Sequence, residues 1–260
     1  MVISFGDNLD KSFAYANSVF KKFSSWFILI VLYSLVIGCA TAVAFGVCFV
    51  LLGYLSIAGV MTPDSAGSAG LAMAMLGVSL ALIIVGTIIS IILGFFVNGI
   101  NVRVYRGGEL SLSSPGKMFA EGFFATLIML IYMIPYIIVS ILVSLGPMGN
   151  PVYLIVVGLI IPVLLYIVTV LIAMFGVIRY AKTGKLGSAF EIKDICSVIS
   201  YIGWLRYLGY MILVGLIVGI VVCIIYMIPI VGIILGVVVS PFAAIMTARF
   251  FGNLYESATE

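Results

Sequence analysis

The sequence predicts an all-α membrane protein: six transmembrane helices arranged as three hairpins, with amphipathic helices at the interface and both termini on the cytoplasmic side. Three observations predict it. First, 65% of the 260 residues are hydrophobic and only 8% are charged, where a soluble domain carries roughly 25% charged residues. The mean hydropathy is +1.40, and a water-soluble core cannot absorb that excess, so the solvent must be lipid. Second, the apolar residues come in blocks long enough for crossings of about 20 residues each. Third, all 12 Lys and Arg residues fall at one alternate set of block ends, which the positive-inside rule assigns to the cytoplasm.

The chain then reads as one integral membrane domain over residues 1–260. Residues 2–22 form an amphipathic helix, with Phe5, Leu9, Phe13, Ala16 and Phe20 at helical spacing. This helix either lies in the interface with its aromatics in the acyl boundary or packs on another part of the chain. The first apolar block, Phe23 to Met61, exceeds one span. Two short spans would separate Lys21–Lys22 from Arg103–Arg106 across the bilayer. One long span followed by a second keeps the bases together, so the spans are placed at about 24–53 and 71–98. The turn between them, Thr62 to Gly67, holds the lone acid Asp64 and faces outward. The charge-free run Gly122 to Ile178 holds two more spans, about 123–145 and 152–178, parted by Gly146 to Pro151. The last pair, about 206–227 and 231–250, turns near Met227 to Gly232.

Asn101–Gly122 is a long polar passage, and Arg179–Arg206 is its counterpart. Arg103-Val104-Tyr105-Arg106-Gly107-Gly108-Glu109-Leu110 parallels Arg179-Tyr180-Ala181-Lys182-Thr183-Gly184-Lys185-Leu186. Each follows an even-numbered span in the order base, aromatic, base, glycine, Leu, and Arg249-Phe250-Phe251-Gly252 is a worn third copy. Ile-Tyr-Met-Ile-Pro also occurs twice, at 131–135 and 225–229. Duplicated units are common in transporters and in plain membrane scaffolds alike. After the second passage, Ser188 and Glu191 fit a capping box ahead of the stripe Ile192, Ile195, Ile199, Ile202. Ser114-Pro115 is another helix start, with proline where its missing N–H costs nothing.

Little here carries chemistry. The chain has no histidine, which removes His-based triads, His–metal sites and axial His haem ligation. Cys39, Cys48, Cys196 and Cys223 form no CxxC pair and read as small hydrophobes. No ionisable residue falls inside a span, which argues against carboxylate-based proton or sodium coupling. Asn98 and Asn101 are the most polar residues close to a span interior; Asn98 either lines a site or bonds a neighbouring helix. Pro135, Pro162 and Pro241 interrupt backbone hydrogen bonding within apolar runs. Gly215/Gly219 and Gly232/Gly236 have close-packing spacing. The opening residues lack a basic stretch followed at once by an apolar run, so no cleaved signal peptide is expected. Gly107-Gly108 lacks the Walker pattern, and nucleotide binding is not indicated. No cofactor and no nucleic-acid partner are expected.

The passages NGINVRVYRGGEL, KMFAEGFFATLIMLIYMIP, RYAKTGKLGSAFEIKDI and ARFFGNLYE resemble an uncharacterised archaeal and bacterial six-span family, "domain of unknown function 4013". The resemblance covers roughly residues 10–255. More distantly the chain is similar to the membrane domain found beside some glycerophosphodiester phosphodiesterases. The resemblance implies a fold and a membrane address and no activity. The expected function is that of a non-enzymatic scaffold or accessory subunit in the cytoplasmic membrane, contacting lipid or a membrane or cytoplasmic protein. A small transporter or channel for a neutral or lipid-like solute is the alternative, and a homo-oligomer is compatible with either. Arg103, Arg106, Arg179, Lys182 and Lys185 are the candidate basic patch for anionic headgroups or an acidic partner.

Overall fold

The apolar blocks fold into long helices because nothing within them interrupts helical hydrogen bonding except a few prolines, and lipid leaves the backbone no other partner. The computed structural model describes residues 2–57, 66–147, 150–228 and 231–259, and no strand occurs among them. The helices are α1 (Phe5–Phe20), α2 (Phe23–Ile57), α3 (Ala66–Arg106), α4 (Pro115–Ser144), α5 (Pro151–Ile155), α6 (Ile161–Thr183), α7 (Ile192–Ile202), α8 (Trp204–Tyr226) and α9 (Val231–Thr259). A π-helical turn, Val156–Ile160, joins α5 to α6 just ahead of Pro162, whose missing N–H removes one helical hydrogen bond there.

Six helices among the described residues are long and apolar enough to cross a membrane, and the protein is a multi-pass membrane protein. Their outward residues, such as Leu51, Ile84, Leu142 and Ile220, are exposed, as lipid-facing side chains should be. The first apolar block is one long helix through Ile57, and the turn residues Thr62–Ser65 with Asp64 lie outside the described residues. So do Met148–Gly149 and Pro229–Ile230 of the other two turns. Helix α3 runs through Arg106, so the opening of the polar passage, Asn101–Arg106, is helical.

Helix α2 packs along α3, α3 along α4, α4 along α6, and α8 along α9. Helices α3 and α4 approach closely where Gly99 and Gly122 each face the other helix's backbone. A Cβ on Gly122 would stand 1.7 Å from the Phe95 carbonyl oxygen, and one on Gly99 2.0 Å from that of Met118. Beside this crossing the Asn98 amide donates to Thr126 Oγ1 at 2.9 Å, so Asn98 is a helix-bonding residue. Gly232 and Gly236 also sit against neighbouring backbone or side chains, whereas Gly215 and Gly219 meet nothing.

Helix α1 docks on α9, but not by its aromatic stripe alone. Its buried face is Asn8, Ser12, Ala16 and Val19: Asn8 donates to the Phe250 carbonyl at 3.0 Å, and Asn253 donates to Ser12 Oγ at 3.3 Å. Phe5 meets Tyr210 and Phe250, Phe20 meets Phe242, and Phe13 meets Phe242 while staying half-exposed. The capping box ahead of α7 does not form. Ser188 Oγ donates to the Lys185 carbonyl, a short 3-10 turn (Gly187–Phe190) intervenes, and Glu191 turns to Arg179 instead. Ile195, Ile199 and Ile202 are buried as their spacing predicts, while Ile192 is exposed.

Candidate functional site

The two polar passages meet. The C-terminal ends of α3, α6 and α9 converge, and each leaves carbonyls without helical partners. At α3 and α6 these orphans are satisfied reciprocally. Arg106 Nε donates to the Ala181 carbonyl of α6 at 2.8 Å. Lys182 Nζ returns a bond to the Arg106 carbonyl of α3 at 3.1 Å. Arg106 and Lys182 hold equivalent places in the two matching passages, so the exchange joins like positions. The glycines after them end both helices in the left-handed region: Gly107 and Gly108 at φ 81° and 76°, Gly184 at 71°. At Gly107 a Cβ would also stand 2.6 Å from Arg249 Nη1, so the guanidinium would have to shift.

Carboxylates lock this junction. Glu121, at the start of α4, accepts from Arg103 Nε at 3.0 Å and from Arg106 Nη1 at 2.6 Å. Arg103 spends its other donors on the loop, reaching the carbonyls of Ser111, Ser113 and Ser114 at 2.6, 2.8 and 3.3 Å. Glu256 on α9 accepts from both Lys182 and Arg249, and Arg249 also donates to the Val104 carbonyl at 3.5 Å. Arg179 pairs with Glu191 and Asp194, and Lys22 with Glu109. Behind the charges lies an aromatic layer: Phe175 stacks on Tyr207 at 4.4 Å and meets Tyr255 edge-on. Arg249 lies 5.4 Å over the Tyr15 ring. Burial pushes the Tyr15 hydroxyl above its ordinary pKa, with the Arg249 charge pulling the other way.

Of the five candidate bases, four are thus held internally. Arg103 and Arg106 share Glu121, Arg179 holds Glu191 and Asp194, and Lys182 holds Glu256. Lys185 is exposed and forms no side-chain bond among the described residues. A polar cleft of about 320 Å³ opens on the first passage, lined by Arg103, Arg106, Ser111, Ser113, Lys117 and Glu121 among others. Lys117 is exposed there and likewise unpaired among the described residues. Glu121 and Glu256 are not evident as partners of the bases from charge counted along the chain. A signal for both is present: each is an isolated acid in a charge-poor chain, Glu121 four residues after Lys117 and Glu256 seven after Arg249. No group of metal-binding side chains occurs among the described residues.

Comparison finds no match among curated proteins or solved structures. A family model does match, over residues 87–222. That interval holds α3's C-terminal half, the Gly99–Gly122 crossing, both polar passages and most of α8. It lends no support to the likeness with glycerophosphodiester phosphodiesterase membrane domains. With more than half of its length matched, the chain belongs to the family described as protein of unknown function DUF4013.

Proposed function

We propose that the protein is a non-enzymatic scaffold or accessory subunit of the cytoplasmic membrane, with its three hairpins oriented so that the charged junction faces the cytoplasm. The orientation follows the bases, which gather at the junction end. The observation that carries the function is the locking itself. Arginines tied to carbonyls and carboxylates build a rigid platform rather than a reactive centre, because they are committed to structure before any ligand arrives. Around the platform, Lys117 and Lys185 remain available for an anionic headgroup or an acidic partner, each contributing on the order of 1 kcal/mol near an anionic surface.

Purification of the intact protein from its native membrane in gentle detergent tests this. Wild type should carry anionic lipid or a partner, and Lys117→Glu with Lys185→Glu should strip most of it without altering thermal stability. Raised salt should weaken the wild-type association in the same direction. A protein that purifies alone, with the double variant indistinguishable from wild type, defeats the proposal. A second reading, a small transporter for a neutral or lipid-like solute, is favoured by one observation: a partly polar crevice between α3 and the α8–α9 pair.

A further inference from the structure

That crevice has a composition of its own. It measures about 400 Å³, within the range of roughly 300–1,000 Å³ typical of small-molecule sites. Helix α3 contributes Asn101 and Tyr105, α8 contributes Val218 and Val222, and α9 contributes Ser240 and Thr247 with intervening alanines. Every polar group in this wall is neutral, and no base or acid lines it. Asn101 Oδ1 is buried without a hydrogen-bond partner, an arrangement that is unfavourable unless something fills it. The Ser240 hydroxyl donates to the Val237 carbonyl at 3.2 Å, which leaves its lone pairs free to accept.

The far side of the same helix pair is a second cleft, of about 220 Å³, with an all-apolar lining that includes Leu9, Phe13 and Phe242. The two spaces share Val218, Val222 and Ala243. A polar recess and an apolar slot therefore flank one pair of lipid-exposed helices. The amide of Asn101 can turn about its last torsion and present either end. A hydroxyl, which both donates and accepts, fits it in either orientation. A phosphate finds no counter-charge in the recess and would lose its hydration there.

We propose that this crevice binds a neutral, hydroxyl-bearing lipid of the diacylglycerol class, with its hydroxyl at Asn101 and an acyl chain along α8. The site shares no residue with the charged junction, so it stands or falls apart from the scaffold reading. The test uses the full chain in phosphatidylglycerol vesicles with a diacylglycerol carrying a diazirine in one acyl chain. Photolabelling should concentrate on peptides holding Val218, Val222 and Ala243. Unlabelled diacylglycerol should compete, and added phosphatidylglycerol should not. Asn101→Leu should weaken labelling by about fivefold to tenfold, the loss of one hydrogen bond. Ala244→Phe should block it by filling the recess, and Val78→Phe on the exposed face of α3 should leave it unchanged. Labelling spread evenly along the lipid-facing helices overturns the proposal, since the recess then holds bulk lipid or water only. Equal competition by phosphatidylglycerol also overturns it. Both readouts use wild type and do not depend on a variant folding.

Discussion

Gly122→Ala is expected to cause the largest loss of stability of any single methyl added to this chain. The new Cβ would stand 1.7 Å from the Phe95 carbonyl oxygen, 2.5 Å from the Gly99 nitrogen and 2.7 Å from the Phe95 carbonyl carbon. All three are backbone atoms, so no side chain can rotate away, and α3 and α4 must separate. Separation pulls the Asn98–Thr126 hydrogen bond apart one turn along and draws Glu121 away from Arg103 and Arg106. Overpacking of this kind costs typically 1–3 kcal/mol and more when rigid elements must move, so a loss of about 3 kcal/mol or more is expected. Thermal unfolding of the purified protein in one detergent, compared with Gly116→Ala at a position that meets nothing within 4 Å, measures it. Equal stability of the two variants would mean that the helices do not cross here.

Part of this was legible in the sequence, and the reason is physical. Hydropathy reports the solvent, lipid permits only helices or closed barrels, and unbroken apolar blocks of span length select helices, so six spans follow without knowledge of packing. A helix start was readable where one residue dictates the backbone, Pro115 at a first turn, whereas α6 runs five residues past the span end placed at 178. Asn98 bonds Thr126, one of the two roles its position allowed. The Gly99–Gly122 crossing was not readable, because its two glycines lie on different helices and no spacing within one chain segment marks them. The same-helix pair Gly215/Gly219, which has the spacing, packs on nothing.

The charged junction was half legible for a similar reason. The repeat in the sequence located Arg106 and Lys182 as equivalent residues, and the structure joins those two. Sequence gives the bases as a patch because it counts charge along the chain. Their pairing depends on which acids the fold brings across, and Glu256 lies 74 residues from Lys182. The capping box at Ser188 failed on the same ground: Glu191 had a stronger tertiary partner in Arg179 than the local backbone offered. A base in lipid-adjacent surroundings takes a carboxylate when one is in reach, since an unpaired charge there loses hydration with no return.

The second large effect is expected from Glu121→Gln. This carboxylate is shared by Arg103 and Arg106, whose side chains are 13% and 39% exposed, and is itself 19% exposed. Removing one member of a fully buried pair costs about 3–5 kcal/mol. Partial solvent access at Arg106 reduces that, and a loss of about 2 kcal/mol is expected. The damage should not stay at α4. Arg106 also holds the Ala181 carbonyl of α6, so a guanidinium released from Glu121 loosens the α3–α6 exchange and the loop beyond Gly107 together. Limited trypsin digestion of the full-length protein in detergent reads this directly, because the bond after Arg106 is protected only while the side chain is engaged. Cleavage there should rise at least several-fold over wild type at a temperature well below unfolding. Glu109→Gln, which frees only the exposed Lys22 contact, should leave cleavage at Arg106 near the wild-type rate, because exposed pairs contribute about 0–1 kcal/mol. If both variants resist trypsin equally, the junction is held by its backbone and aromatic packing, and the carboxylate has no locking role.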